Sequence, residues 1–257
     1  MTDPLVFPWV VAVFGLMIGS FLNVCIYRLP RHESVVFPPS HCTRCGKAIA
    51  WYHNLPIVGW LVLRGRCASC GDRISIIYPL VEALTGAVFA LNAWWFGPTP
   101  LLLVRLLFSC VLIVLAFIDI EHRILPNRIT LSGIVVGFLA SVWLLPGWRS
   151  SLIGILIGGG VLWAIGELYF RLRGVEGMGM GDVKMLAMIG AFLGWKAVLF
   201  TVLLASILGA IVGLAMMAGR KGDMKYALPF GTFLSIAALT ASFVGDRFVD
   251  WYLSYYS

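Results

Sequence analysis

Apolar residues run through this chain in long blocks, separated by short polar stretches. An α-helix needs roughly 20 predominantly apolar residues to cross the hydrocarbon of a bilayer. Blocks of about that size fall at residues 5–27, 76–96, 101–118, 129–145, 152–170, 197–217 and 229–244. An eighth, 185–193, is shorter than a lone crossing requires. The stretch 28–75 is polar, holds four of the six cysteines, and is the one soluble module of any size. The pattern predicts an all-α polytopic membrane protein of eight transmembrane helices. Its expected organisation is a first helix (1–27), a cysteine-bearing loop domain (28–75) and a seven-helix core (76–257).

Composition agrees. The 257 residues are 60% hydrophobic and 12% charged, against about 45–50% and about 25% in soluble domains; mean hydropathy is +0.94. Met1-Thr2-Asp3-Pro4 lack the basic region of a signal peptide, so the first block is expected to remain as a helix.

The formal net charge of +7 changes the picture only through its distribution. With eight crossings and the N-terminus outside, 15 of the 19 basic residues gather on one side, leaving Arg105, Arg149, Lys196 and Arg247 elsewhere. That is the positive-inside bias, which orients a membrane protein; nucleic acid is not an expected partner. Making 185–193 re-entrant would move the loop with Arg220 and Lys221 outside, so eight crossings with both termini periplasmic is the expectation.

The loop domain repeats one motif. Cys42-Thr43-Arg44-Cys45-Gly46 is echoed by Cys67-Ala68-Ser69-Cys70-Gly71, with 21 residues between the pairs. Two residues between thiolates let both reach one metal, and four sulfurs make the closed tetrahedral set of structural zinc. Redox chemistry and disulfides are the alternatives, and a reducing cytoplasmic location disfavours the latter. Cys25 and Cys110 lie in apolar blocks and read as buried small hydrophobes.

Two aspartates stand at block edges. Asp119 ends one block, in Phe117-Ile118-Asp119-Ile120-Glu121-His122-Arg123. Asp182 opens another, after Gly177, Gly179 and Gly181 and two residues before Lys184. Two full crossings separate them, so both are expected at similar depth on the cytoplasmic side. Asp182 could serve only as a helix N-cap; Asp119 could be a surface acid paired with Arg123 or Arg128. A facing pair cannot easily ionise twice, so one acid keeps a proton while the other takes a proton from attacking water. Asp182, at a helix N-terminus, is expected to ionise more readily, and Asp119 to hold the proton longer. Glu82 and Glu167 lie inside apolar blocks and are functional candidates on that ground. Asn23, Glu121, His122 and Lys184 are candidates for a supporting shell, with structural roles equally open.

Taken in order, these motifs resemble the type IV prepilin peptidases. The matching stretches are Gly19-Ser20-Phe21-Leu22-Asn23-Val24, Tyr27-Arg28-Leu29-Pro30, the two cysteine knuckles and Tyr78-Pro79-Leu80-Val81-Glu82. They continue with Asp119, Ile124-Leu125-Pro126, Gly179-Met180-Gly181-Asp182-Val183-Lys184 and Pro229-Phe230-Gly231. The resemblance implies eight membrane helices in the bacterial inner membrane, with Asp119 and Asp182 as the catalytic pair. It implies an active-site loop of Gly179, Gly181 and Lys184, and structural zinc on Cys42, Cys45, Cys67 and Cys70. It implies removal of a short basic leader after glycine from prepilins of type IV pili or pseudopilins of type II secretion. Methylation of the new N-terminus from S-adenosylmethionine would follow; no residue marks the methyl-donor pocket. A homo-oligomer is compatible with this reading. Two departures stand out: Asn127 where the family usually has aspartate, and Thr232 where proline is common.

Two rival readings differ in what they require. A presenilin-like protease would share the Gly-x-Gly-Asp motif but not the knuckles. A proton or metal transporter would use Asp119, Asp182, Glu82 and Glu167 as a pathway and would need acids at mid-membrane depth.

Overall fold

The structure is a computed structural model of the chain and describes residues 6–174, 179–219 and 228–255. The described residues are helices and connections, with only two isolated β-bridges, His41 to Ala48 and Arg66 to Arg73. The chain divides into two compact units, Met1–Val114 and Leu115–Ser257.

In the first unit, α1 (Phe7–Arg28) has proline in its first turn and gives way to a short 3₁₀ turn, Leu29–Arg31. The loop beyond carries a second 3₁₀ turn, Trp51–Asn54, and the five-residue α2 (Val58–Val62). Then come α3 (Ile77–Phe96) and α4 (Pro100–His122), which enters the second unit at Leu115. Helix α1 packs along α3 through glycines. A Cβ on Gly15 would lie 2.9 Å from the Gly86 Cα, and one on Gly19 would lie 2.7 Å from the Glu82 Cα. Small residues four apart bring two backbones close enough for dense contact where lipid offers no hydrophobic drive. The opposite face of α1 exposes Trp9, Val13, Phe14 and Phe21, as a lipid-facing surface does.

The second unit holds α5 (Asn127–Ser141), α6 (Trp148–Ile155), a π-helical segment (Leu156–Val161) and α7 (Leu162–Arg173). The last three run as one continuous rod, Trp148–Arg173. They are followed by α8 (Met180–Leu193), α9 (Trp195–Gly219) and α10 (Phe230–Leu253). Helix α8 is the hub and touches α5, α6, α7, the π segment, α9 and α10. Met185, Leu186, Met188, Ile189 and Ala191 are all within 1% of complete burial, so α8 is enclosed on every side from Met185 onward.

Six helices among the described residues are long and apolar enough to cross a membrane: Phe7–Arg31, Ile77–Phe96, Pro100–His122, Trp148–Arg173, Trp195–Ala218 and Phe230–Leu253. The other two expected crossings are shorter. Helix α5 has 15 residues and α8 has 14, about 21–23 Å at 1.5 Å per residue. The block at 185–193 is therefore the greater part of a buried central helix that begins at Met180, ahead of the apolar run.

Candidate active site

Asp119 is 5% exposed near the C-terminal end of α4. A carboxylate there opposes the dipole of its own helix. The fold compensates by bringing up the N-terminus of α10, which Pro229 starts without a side-chain cap. The Thr232 backbone N–H donates to Asp119 Oδ2 at 2.8 Å. The Thr232 hydroxyl lies 3.2 Å from the same oxygen and 3.2 Å from the Ala116 carbonyl oxygen, so its single proton serves one of them at a time. Asp119 thus caps α10 from another helix, as the nearer acceptor of an N–H that also reaches the Pro229 carbonyl oxygen at 3.3 Å.

Asp182 sits in the first turn of α8, three residues after the N-cap position at Gly179. Among the described residues its side chain has no hydrogen-bond partner, and its backbone N–H donates to the Gly179 carbonyl oxygen at 3.0 Å. A pure capping role therefore does not account for it. It is half-buried and within Coulombic reach of Asp119.

Leu125 is wedged beside both helix starts. A Cβ on Gly181 would lie 3.1 Å from the Leu125 Cβ. One on Gly231 would lie 3.0 Å from Leu125 Cδ1 and 3.0 Å from Asp119 Oδ2. Glycine at 181 and 231 therefore lets α8 and α10 close around the Leu125 turn and the Asp119 carboxyl. Gly179 stands free of such crowding apart from Asp182 Oδ2, 3.4 Å from where its Cβ would be. Lys184 donates to Asn127 Oδ1 at 2.9 Å, tying the start of α8 to that of α5. Gly177 and Met178 lie outside the described residues.

The other candidates separate clearly. Glu82 is 7% exposed and accepts the Ile57 backbone N–H at 2.7 Å. It pins a residue whose φ of +61° is costly for a β-branched side chain. Asn23 donates to the Tyr78 carbonyl oxygen at 3.0 Å. Glu167 pairs with Arg171 at 2.8 Å, one turn along an exposed helix face. His122 keeps a buried Nε2 with no hydrogen bond among the described residues, 3.9 Å from the exposed Glu121. Sequence reasoning marks Thr232 only as a departure from a pattern. Its contact with Asp119 spans 113 positions, and no local signal announces it.

In the loop domain, the sulfurs of Cys42, Cys45, Cys67 and Cys70 all lie within 4.8 Å of one another. Cys42 Sγ and Cys70 Sγ are 3.8 Å apart. A tetrahedral metal with bonds of about 2.3 Å sets its sulfurs about 3.8 Å apart, so the cluster fits. Each knuckle closes on a left-handed glycine, Gly46 at φ +69° and Gly71 at φ +73°. The Cys67 thiol is drawn down to about 7 by backbone N–H groups of Cys70 and Ser69. An Arg44–Asp72 ion pair at 2.7 Å joins the two knuckles on the surface.

The comparisons with known proteins fall on this arrangement. Residues 13–96 match the model of the "Bacterial Peptidase A24 N-terminal domain" and residues 106–214 that of the "Type IV leader peptidase family". A protein of Pseudomonas putida is 38% identical over 95% of this chain and 93% of its own length. One of Aeromonas salmonicida (strain A449) is 38% identical over 96% of this chain and 95% of its own. One of Myxococcus xanthus (strain DK1622) is 43% identical over 82% of this chain and 64% of its own. All three carry the name "Prepilin leader peptidase/N-methyltransferase". No solved structure matches the chain.

Proposed function

The chain belongs to the type IV leader peptidase family, and from that premise we propose how its residues carry out the work. The protein is a membrane prepilin leader peptidase and N-methyltransferase. The peptidase centre is the pair Asp119 and Asp182. The observation that carries this reading is their convergence: two acids 63 positions apart come within Coulombic reach where the ends of three helices gather, one of them held by Thr232.

Roles follow from the hydrogen bonds. Both carboxylates stand at a helix N-terminus, Asp182 in α8 and Asp119 against α10, so the helix dipole no longer separates them. A hydrogen bond to a charged group is worth about 1.5–3 kcal/mol, more than the roughly 0.3–1 kcal/mol typical of a helix dipole. Asp119 is therefore the ionised member and takes the proton from attacking water, while the protonated Asp182 polarises the scissile carbonyl. This reverses the order expected from the sequence, because Thr232 supplies donors that Asp182 lacks among the described residues. Replacing Thr232 by valine keeps the backbone donor and removes the hydroxyl. Cleavage measured as kcat/KM is expected to fall about 10-fold, the share of one charged hydrogen bond.

The finer features are proposals of the same kind. Helices α5 and α8 complete a set of eight membrane-embedded helices in the bacterial inner membrane. The basic loops and both aspartates face the cytoplasm, and the termini face the periplasm. Substrates are prepilins or type II pseudopilins, cut after the glycine that ends a short basic leader. Gly181 and Lys184 lie in the first turns of α8 rather than in a loop, and with Gly179 they form the active-site segment, Lys184 by fastening α8 to Asn127. The transport alternative loses its pathway, since Glu167 is spent on Arg171 at an exposed face and Glu82 on the Ile57 N–H.

The four cysteines hold structural zinc, whose charge would keep all four thiolates deprotonated. Purified protein is expected to contain one zinc per chain by elemental analysis. Cys67→Ser is expected to lose the metal and to open the loop domain to limited proteolysis. S-adenosylmethionine, when bound, supplies the methyl group that becomes attached to the new N-terminal nitrogen.

The test of the whole reading is cleavage of a prepilin by the purified protein, followed by mass analysis of the product with and without S-adenosylmethionine. A shortened product that gains a methyl's mass only with the donor supports it. An uncut prepilin, or a cut within the apolar helix, refutes it.

A further inference from the structure

Arg28 is 6% exposed, yet no carboxylate among the described residues pairs with it. Its Nη1 donates to the Ser34 carbonyl oxygen at 2.9 Å and its Nη2 to the Pro38 carbonyl oxygen at 2.7 Å. These account for two of the five N–H groups of a guanidinium. A buried cation without a counter-charge is costly. Here it borders a groove of about 390 Å³, a size typical of small-molecule sites. Phe21, Val24, Val36, Pro38 and Leu55 give the groove apolar walls, and Ser20, Ser40 and Asn54 add polar groups.

We propose that this groove is the methyl-donor site and that Arg28 binds the carboxylate of S-adenosylmethionine. The inference rests on the methyltransferase reading above. Charge complementarity selects this occupant: the guanidinium fork meets a carboxylate with two parallel hydrogen bonds, and the apolar walls suit a flat adenine. The matched segments agree. Both aspartates lie in residues 106–214, matched by the peptidase family, and the groove lies wholly within the first compact unit. Residues 13–96 match a separate model and hold Arg28 with nearly all its surroundings intact. Glu82 fixes Ile57 directly after the wall residues Leu55 and Pro56. Glu82 thereby sets the shape of the groove without entering it.

The experiment uses full-length protein in lipid nanodiscs. Binding of methyl-tritiated S-adenosylmethionine is measured by equilibrium dialysis, and ultraviolet cross-linking with peptide mapping locates it. Wild type is compared with Arg28→Gln and Val36→Trp. The second variant narrows the groove at a side chain that is 68% exposed and leaves the Arg28 hydrogen bonds alone, and thermal unfolding checks that both variants fold. Wild type is expected to bind saturably, each folded variant about 10-fold or more weakly, the loss expected of a charged hydrogen bond. The cross-link is expected within residues 17–56. Equal affinity in all three proteins, or a cross-link within 106–214, overturns the site and leaves methyl transfer standing. Displacement of the donor by phosphatidylglycerol but not by S-adenosylhomocysteine assigns Arg28 to a lipid headgroup and also overturns it. A wild-type protein that neither binds the donor nor methylates a cleaved pilin refutes the methyltransferase reading together with the site.

Discussion

Asp119→Asn and Asp182→Asn are each expected to reduce prepilin cleavage by about 10²–10⁴-fold, the range of a general acid or base. The amide keeps the shape of the carboxyl. Asparagine at position 119 can therefore still accept the Thr232 N–H and cap α10, while losing the ability to take a proton from water. Asparagine at position 182 keeps its place in the first turn of α8, where the side chain makes no capping bond to lose. Helix content and thermal unfolding should therefore stay near wild type. Groups that act as one unit do not add, so the double variant should be no worse than the weaker single one. Methylation of a pilin whose leader is already removed should continue in all three. Cleavage by a folded variant at more than a tenth of the wild-type rate would remove that aspartate from the mechanism.

Gly190→Val is expected to cause the largest loss of stability. Helix α8 crosses α6 at this point with the two backbones in contact, and an added Cβ would fall on the Gly154 carbonyl. The reciprocal Cβ on Gly154 would lie 2.6 Å from the Gly190 carbonyl oxygen, and one on Gly158 would lie 2.6 Å from that of Leu186. Backbone cannot rotate aside as a flexible side chain can. Nor can α8 shift, because Met185, Leu186, Met188 and Ile189 are fully enclosed on its other faces. Overpacking costs about 1–3 kcal/mol and occasionally more, and here it falls on the helix that carries Asp182. The expected result is little folded protein, or a clearly lowered unfolding temperature with poor cleavage. Gly160→Ala is the control: beyond its own stretch of backbone, nothing among the described residues lies within 4 Å of its added Cβ, so it should unfold near wild type. A Gly190→Val protein as stable as that control would refute the packing argument.

The sequence by itself determined the class of fold and marked the groups proposed to react. Apolar blocks of about a bilayer's length fix helices wherever backbone polar groups have no water to turn to, and that constraint is local. The cysteine knuckles are equally local, because two residues and a left-handed glycine suffice to bring two sulfurs together. Asp119, Asp182 and the glycines around them stand out as breaks in an oily pattern.

Only the tertiary structure decided what those groups touch. Length alone cannot tell a crossing helix from an enclosed one, and α8 proves to be a 14-residue hub buried on all sides from Met185 onward. Glu167 and Glu82 look alike as acids in apolar blocks, yet one pairs with a neighbour on its own exposed turn and the other clamps a strained loop residue. The sequence favours Asp182 as the ionised aspartate, and the hydrogen bonds favour Asp119. The dipole of α8 is visible along the chain, whereas the N–H of Thr232 reaches Asp119 only through packing. Periodicity and composition act over a few turns of one helix. Hydrogen bonds and charges in a site act over a few ångströms between helices, and the fold alone brings those helices together.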